Sequence, residues 1–344
     1  MRIGVLTGGG DCPGLNAVIR AIVRAGEVGH NDEVRGFLDS WDGVMDQRFV
    51  HLDVASVRGL LPRGGTIIGT RRGSPYDRPD GVERVRSCFT EQLLDALVVI
   101  GGNGSLAVAA RLVAETGLPI VGVPKTIDND VTGTDITFGF HTAVQIATDA
   151  IDRLHTTAES HDRVMVVEVM GRDTGWIATY AGMAGGATVI LIPEVPFDIA
   201  RVAEVVAARH RRGRYASIVV VAEGAQPIPG TMPVPAYEVD HIGRPRLGGV
   251  SVEIAREIEE RTGFEARVVQ IGHVQRGGTP SAYDRVLSTR FGVAAVDAIH
   301  RGEFGSMVAL RNSKVVTVPL ADVDGRARTV DLDIYHDVAS IFFG

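Results

Sequence analysis

The chain has 344 residues, 45% of them hydrophobic and 22% charged, with a formal net charge of −7. This length favours about two globular domains, and the acidic balance disfavours a general nucleic-acid binder. No apolar run reaches the ~18 residues that a membrane-spanning helix needs. The opening run MRIGVLTGGG does not resemble a signal peptide, and two cysteines give no disulfide framework. We therefore expect a cytoplasmic protein that binds neither nucleic acid nor membrane.

Apolar runs alternate with helical periodicities along most of the chain. Strands are predicted over 3–6, 96–100, 120–123, 164–169, 188–192, 217–222 and 267–271. Helices are predicted over 15–27, 105–116, 141–157, 198–210, 249–261 and 281–300. Continuous apolar strands alternating with helices indicate parallel sheets that are covered on both faces. The expected fold class is α/β, with two Rossmann-like three-layer domains and mainly parallel sheets.

Two interruptions of this pattern carry predictions of their own. Pro124 is predicted to end the strand over 120–123, because proline lacks the N–H that a strand donates. The segment 225–248 is rich in proline and glycine. It is predicted to be a surface loop or a hairpin insertion, and it suggests no function.

Glycine-rich turns follow the first two strong strands, at 8–14 (GGGDCPG) and 101–105 (GGNGS). Ligands of open α/β sheets bind at the carboxyl ends of strands, and glycines let backbone N–H groups approach a phosphate at a helix N-terminus. An ordinary structural turn could explain either segment alone, whereas the two together favour a phosphate ligand. The first turn does not match GxGxxG, which disfavours a nicotinamide-dependent enzyme.

Charged side chains follow three later strands. PKTIDND (124–130) places Asp128 and Asp130 two residues apart, so both would point the same way if the stretch were extended. One carboxylate could then take a proton from a hydroxyl while the other holds a metal, although a cap or Asx-turn would explain either one singly. Arg172, His273 and Arg276 follow the next strands, and arginine suits phosphate esters. Of the 35 Lys and Arg residues, 33 are arginines, and only Lys125 and Lys314 are lysines. An arginine near a motif is therefore weak evidence by itself, and its position within the motif must decide whether it is a candidate phosphate ligand. The whole set favours phosphoryl transfer.

These motifs, taken in chain order, resemble those of the 6-phosphofructokinase family. The matching segments are LTGGGDCPGLNAVIRAIVR, RGGTIIGTRRGSP, GGNGS, PKTIDND, SHDRVMVVEVMGR, VAEG and IGHVQRGG, which cover most of 1–300. The resemblance implies a phosphofructokinase-like fold. Residues 1–139 with 275–325 would form the donor domain, and 140–274 with 326–344 the sugar-phosphate domain, with a cleft between them.

The resemblance also implies residue roles in making fructose 1,6-bisphosphate and ADP from fructose 6-phosphate and ATP. The donor would be bound by Gly10, Arg72, Gly73, Gly102, Asn103, Gly104 and Ser105. The sugar phosphate would be bound by Thr126, Ile127, Asp128, Arg163, Met170, Gly171, Arg172, Glu223, Arg267, His273, Val274, Gln275 and Arg276. Asp128 would accept the proton of the 1-hydroxyl, with Thr126 and Arg172 beside it. Arg163 and Arg267 would reach the substrate from a neighbouring subunit, which implies a homodimer or homotetramer.

Departures from the family pattern bear on the metal and on the donor. Family members usually carry an acidic residue at position 103, where this chain has Asn103. The asparagine keeps an oxygen ligand for Mg²⁺ but lacks the negative charge. Asp130 could compensate by binding the metal through water. Gly104 leaves room for the α-phosphate of ATP where pyrophosphate users generally carry Asp, whereas Lys125 is usual in pyrophosphate users. We expect an ATP-dependent enzyme. A pyrophosphate-dependent phosphofructokinase, a kinase for another sugar phosphate and a catalytically impaired sensor remain as alternatives.

Residues that match the effector site of allosteric bacterial members are only partly present. Arg20, Arg24, Arg212 and Arg214 match basic positions of that site, whereas Val54 and His155 stand where two further arginines are expected. The resemblance therefore predicts a weakened, altered or absent effector site.

Overall fold

The computed structural model describes residues 1–234, 247–323 and 325–342. The chain forms two compact units. The first comprises Met1–Thr142 and Arg276–Ala327, and the second comprises Ala143–Gln275 and Arg328–Gly344. Both units are α/β, so the predicted fold class is confirmed. The assignment of donor and sugar phosphate to separate domains stays a prediction.

The elements follow one another along the chain in the order that the apolar runs predict. The strands are β1 Arg2–Thr7, β2 Glu33–Phe37, β3 Phe49–Leu52, β4 Ala96–Gly101, β5 Ile120–Thr126, β6 Phe138–Gly139, β7 Val164–Val169, β8 Val189–Leu191, β9 Ser217–Ala222, β10 Ala266–Gln270, β11 Ser306–Arg311 and β12 Lys314–Pro319. The helices are α1 Leu15–His30, α2 Trp41–Met45, α3 Gly81–Glu91, α4 Asn103–Thr116, α5 Phe140–His161, α6 Trp176–Ala184, α7 Ile199–Arg211, α8 Val250–Thr262 and α9 Ala282–His300. None of the helices in the described part of the chain is long and apolar enough to cross a membrane.

The sheet of the first unit has the strand order β12-β11-β5-β4-β1-β2-β3, and β6 pairs with β5. Its central strands are parallel, while β3 and β12 run antiparallel to their neighbours at the two edges. The chain moves from β1 to β2 on one side and later from β4 to β5 on the other. The loops after β1 and β4 therefore diverge at the point where the strand order reverses, which is where open α/β sheets bind ligands.

The sheet of the second unit is smaller and entirely parallel, with the order β10-β7-β9-β8. Its central strands β7 and β9 are buried along their whole length, and apolar residues such as Val166 and Val219 pack in one cluster with residues of α7 and α8. The carboxyl ends of β7, β9 and β10 lead into Met170, Glu223 and His273, respectively. These ends are the candidate ligand edge of this unit.

The buried side chain of Glu168 joins the end of β7 to α8. Its carboxylate accepts hydrogen bonds from the backbone N–H groups of Gly249 and Ser251, at 3.0 and 3.1 Å, and from the Ser251 hydroxyl. The first N–H groups of a helix have no partner within the helix, so a carboxylate there satisfies them and also interacts favourably with the helix dipole. This cap fixes the backbone just ahead of Met170.

The structure differs from the sequence-based expectations in two ways. The prediction that Pro124 ends its strand is wrong, because β5 continues to Thr126. Pro124 lies where the strand exchanges β4 for β6 as its partner, so the missing N–H removes little from the ladder. The elements β2, β3, β6, β11, β12, α2, α3 and α6 were not predicted. Within the predicted loop over 225–248, residues 235–246 lie outside the described residues, and 225–234 form a loop that bridges Phe197 through Pro227.

Candidate active site

The first glycine turn lies directly after β1, beside the second turn. The N–H of Gly8 donates to the carbonyl of Ile100 at 2.9 Å, and a β-carbon at Gly8 would lie 2.5 Å from Ser105 Oγ. A β-carbon at Gly10 would lie 2.8 Å from Arg276 Nη1. A side chain at Gly8 would collide with Ser105, and one at Gly10 would displace the Arg276 guanidinium. Glycine at both positions therefore leaves bare backbone at the surface of the turn.

The second turn leads into α4, which begins at Asn103 with Gly102 as its N-cap. No side chain caps this helix and its first turn carries no acidic residue. Its free N–H groups and the positive end of its dipole therefore suit an anion. The predicted donor residues 102–105 and Gly10 are thus brought together on one unit. Arg72 and Gly73 follow Arg71, whose carbonyl accepts the N–H of Gly9 at 3.1 Å.

Lys125 lies beneath the first turn and connects it to β5. Its side chain is 3% exposed, and Nζ donates to the carbonyl oxygen of Gly10 at 2.5 Å. Burial lowers the pKa of Lys125, because an ammonium loses its hydration when it leaves water. The buried cation holds the glycine turn in place and adds positive charge next to the predicted phosphate site.

The segment after β5 is a tight bend and not an extended stretch, so the premise that Asp128 and Asp130 alternate along a strand is wrong. Asn129 has a φ of 52°, in the left-handed region that Asn tolerates better than most residues. Its side-chain Oδ1 accepts the N–H of Thr137 at 3.0 Å, and Thr126 Oγ1 accepts the N–H of Asp128 at 3.1 Å. These contacts fix the backbone on both sides of the two carboxylates.

Oxygen atoms suited to Mg²⁺ lie beside this bend. Asn103 Nδ2 donates to the carbonyl of Asp130 at 2.9 Å, and Asn103 Oδ1 is buried without a hydrogen-bond partner in the described part of the chain. One carboxylate oxygen of Asp130 is also buried. Across residues 1–234, 247–323 and 325–342, no group of three or more His, Cys, Asp or Glu could hold a metal alone. Mg²⁺ usually takes one or two protein oxygens and completes its shell with water and phosphate, so this pair fits it.

Candidate sugar-phosphate residues lie at the carboxyl ends of the second sheet. The N–H of Gly224 donates to the carbonyl of Gly171 at 3.2 Å, which joins the turns after β7 and β9. Gln275 is fully buried, and its Oε1 accepts the N–H of Met170 at 2.8 Å. A cavity of about 330 Å³ opens there, lined by Arg172, Asp173, Pro193, Gly224, Gln226 and Leu247.

Two of the predicted sugar-phosphate arginines lie at the other end of the same sheet. Arg163 precedes β7 and Arg267 is the second residue of β10, whereas Met170 and His273 follow the ends of those strands. The six residues of β7 lie between Arg163 and Met170, and this extended stretch puts the two residues about 20 Å apart. One ligand cannot contact both ends within the same copy of this unit.

The remaining predicted residues differ in accessibility. The Ile127 side chain is fully buried, whereas that of Val274 is 67% exposed. Arg276 lies in the first unit, where its Nη1 donates to the carbonyl of Asp11 at 3.3 Å. Sequence reasoning missed Asn129 and also Glu265, which forms ion pairs with Arg163 and Arg267. The position of Asn129 between two aspartates was a signal that could have identified it, whereas no sequence signal marked Glu265.

Glycine turns, free helix N-terminal N–H groups and a carboxylate pair are typical of an enzyme that transfers a phosphoryl group. The family model described as phosphofructokinase matches residues 2–299. The chain belongs to the phosphofructokinase family.

The most similar relatives include proteins named for two donors. The chain is 56% identical over its whole length to the whole of a Streptomyces coelicolor pyrophosphate--fructose 6-phosphate 1-phosphotransferase. It is also 56% identical to an ATP-dependent 6-phosphofructokinase 3 of that organism, over 96% of each chain. An ATP-dependent 6-phosphofructokinase of Mycobacterium tuberculosis is 51% identical, over 99% of this chain and 100% of that one.

Solved structures support the same fold. Pichia pastoris phosphofructokinase in the T-state superposes with a TM-score of 0.83 and 34% identity, over 99% of this chain and 36% of that one. The chain therefore spans about a third of the length of that relative. A pyrophosphate-dependent phosphofructokinase from Marinobacter aquaeolei has a TM-score of 0.82 at 22% identity, over 96% of this chain and 86% of that one. At that identity the similarity supports a shared fold and nothing further.

Proposed function

We propose that this phosphofructokinase uses ATP to phosphorylate fructose 6-phosphate at its 1-hydroxyl, giving fructose 1,6-bisphosphate and ADP in the cytoplasm. The observation that carries the choice of donor is the space at Gly104. This exposed residue lies in the first turn of α4, and a β-carbon built on it would meet nothing within 4 Å. The helix N-terminus can therefore accept a donor with phosphates beyond a pyrophosphate unit.

In the proposed reaction the carboxylate of Asp128 takes the proton of the 1-hydroxyl while that oxygen bonds to the γ-phosphorus. The bond from this phosphorus to the β,γ-bridging oxygen breaks, and ADP leaves with the electron pair. The N–H groups of the two glycine turns, with Arg72 and Arg172, stabilise charge on the phosphoryl oxygens. Mg²⁺ held by Asn103 and Asp130 would neutralise charge on the donor phosphates when bound. The transfer depends on positioning and charge, so no covalent enzyme intermediate is needed.

The sugar 6-phosphate is proposed to contact His273 and Arg276 of one subunit and Arg163 and Arg267 of its neighbour. The support for this sharing is the distance of about 20 Å that the β7 strand puts between Arg163 and Met170. A homodimer or homotetramer would supply both sets. A weakened, altered or absent effector site stays a prediction. His155, which stands at one of its expected arginine positions, forms a hydrogen bond between Nε2 and the carbonyl oxygen of Gly185 at 2.6 Å.

A pyrophosphate-dependent phosphofructokinase is the second candidate. Lys125 favours it, because a lysine is usual at this position in pyrophosphate users of the family, and here its ammonium is buried beneath the first turn. One 56% identical relative is also named for pyrophosphate. Initial rates with ATP and with pyrophosphate, measured at equal free Mg²⁺ and saturating fructose 6-phosphate, discriminate between the candidates. We expect a higher kcat/KM with ATP, and a higher value with pyrophosphate would refute the proposal.

Gly104→Asp is expected to lower kcat/KM for ATP at least about tenfold, because a carboxylate there would repel the α-phosphate. The open space at this position means that the fold should accept the new side chain. Gly104→Asn is the matched control, since it fills nearly the same space without charge and should cost less. Steady-state kinetics with ATP check the effect, and unchanged ATP use by the Asp variant would show that Gly104 does not select the donor.

A further inference from the structure

A single carboxylate joins the two arginines at the edge of the second sheet. Glu265 directly precedes the edge strand β10, and its carbonyl accepts the N–H of Val164 at 2.9 Å, which sets it beside Arg163. Arg163 Nη2 lies 2.9 Å from Glu265 Oε1, and Arg267 Nη2 donates to the same oxygen. Two residues predicted to bind phosphate therefore converge on one carboxylate oxygen.

The guanidinium groups of the cluster have hydrogen-bond donors that are not used. Two guanidinium groups face Glu265, and among the described residues the other carboxylate that pairs with them is Glu259, 3.6 Å from Arg267 Nη1. Glu259 is itself held by the N–H of Ala266 at 2.8 Å. Arg163 Nε is buried and has no hydrogen-bond partner within the described ranges. These guanidinium groups can therefore donate more hydrogen bonds than they make.

The position of the cluster also makes it accessible. The side chains of Glu265 and Arg267 are 41% and 52% exposed, and β10 has no neighbouring strand on its outer side in the described part of the chain. The pKa of the Glu265 carboxyl is lowered by its hydrogen bond to Arg163, so the group is ionised at neutral pH. An ionised carboxylate presents to a guanidinium the same acceptor chemistry as a phosphate oxygen.

We propose that Glu265 occupies the two-arginine site in the substrate-free molecule and must be displaced by the phosphate of the sugar. The proposal rests on the proposed function, in which Arg163 and Arg267 bind the 6-phosphate of a neighbouring site. Exposed ion pairs are weak, so a phosphate dianion can replace the carboxylate. Once displaced, Glu265 still carries a negative charge close to the phosphate. Glu265 is therefore a residue that sets sugar-phosphate affinity by opposing binding.

The test is calorimetric titration of the full chain with fructose 6-phosphate in the absence of donor, for wild type and Glu265→Gln. The amide keeps the shape of the side chain and removes its charge. We expect the variant to bind about 3- to 10-fold more tightly, with kcat unchanged. Glu260→Gln is the matched control, because Glu260 pairs with Arg256 on α8, whereas Arg163 and Arg267 form their ion pairs with Glu265 and Glu259. We expect the control to match wild type.

Weaker or equal binding by Glu265→Gln would overturn the proposal, because it would mean that Glu265 orients the arginines. Equal tightening by Glu265→Gln and Glu260→Gln would overturn it too, since net charge would then explain the gain. Titration with inorganic phosphate probes the arginine pair without sugar or donor, and the same order of affinities is expected. If wild type binds phosphate but neither binds fructose 6-phosphate nor turns over with ATP, the proposed function fails while the Glu265 comparison still holds.

Discussion

Asp128→Ser is expected to lower kcat roughly 10³-fold while leaving the dissociation constant of fructose 6-phosphate within a few-fold of wild type. The hydroxyl of a sugar is a poor nucleophile until its proton is removed, and serine cannot take that proton. A 10³-fold loss corresponds to about 4 kcal/mol of transition-state stabilisation. Substrate affinity should survive, because the contacts proposed to hold the sugar 6-phosphate come from arginines and His273.

Steady-state kinetics with ATP and calorimetric titration with fructose 6-phosphate measure the two quantities separately. Asp80→Ser is the control, since Asp80 is an exposed carboxylate on the same unit, paired only loosely with Arg84 at 3.6 Å. It should retain wild-type turnover. If the Asp128→Ser enzyme kept more than about a tenth of the wild-type kcat, Asp128 would lose its proposed role as the base.

Asn129→Ala is expected to lower kcat about 100-fold, although this side chain is buried and flanks the carboxylates without being one of them. Alanine is strained at a φ of 52°, and it leaves the buried N–H of Thr137 without its acceptor. The bend should therefore relax and carry Asp128 away from its position. The same two effects should reduce the free energy of unfolding by roughly 2 to 4 kcal/mol.

Two further variants separate strain from hydrogen bonding. Asn129→Gly relieves the strain but loses the acceptor, so it should retain more activity than Asn129→Ala. Asn129→Asp keeps both the backbone preference and an acceptor oxygen, but adds a third carboxylate in a row. Urea unfolding measures the free energy of unfolding of each variant, and steady-state kinetics show whether the loss of activity lies in kcat or in KM. Equal kcat values for the Ala and Gly variants would show that left-handed backbone geometry does not position Asp128.

The sequence predicted the parallel strands well, because a strand buried on both faces is a continuous apolar run such as that of β4 or β7. It also predicted where ligands approach, since glycines and charged residues follow those runs. The strands at the edges of the first sheet were harder to predict. Both β3 and β12 mix buried with exposed residues, so their sequences resemble those of loops. The neighbouring strand β2 contains Arg35 and Gly36, which interrupt its apolar run.

The missed features depend on pairing between distant parts of the chain. Arg163 and Glu265 meet because β7 and β10 pair in parallel register, although about a hundred residues separate them. Spacing along the sequence cannot reveal such a pair. The contact of Arg276 with the Gly10 turn arises in the same way, from opposite ends of the chain. The bend at Asn129 is local, but its left-handed backbone follows from a hydrogen bond to Thr137 that no short motif specifies.

The strand β7 has a consequence for how this protein can change during evolution. Residues proposed for two different catalytic centres flank this strand, Arg163 before it and Met170 after it, and its six residues separate them. Side chains along the strand can be exchanged for others of similar volume with modest effect. Loss or gain of one residue would instead change the distance between the ends and turn every following side chain to the opposite face. Substitutions in β7 should therefore accumulate across descendants while its length stays the same.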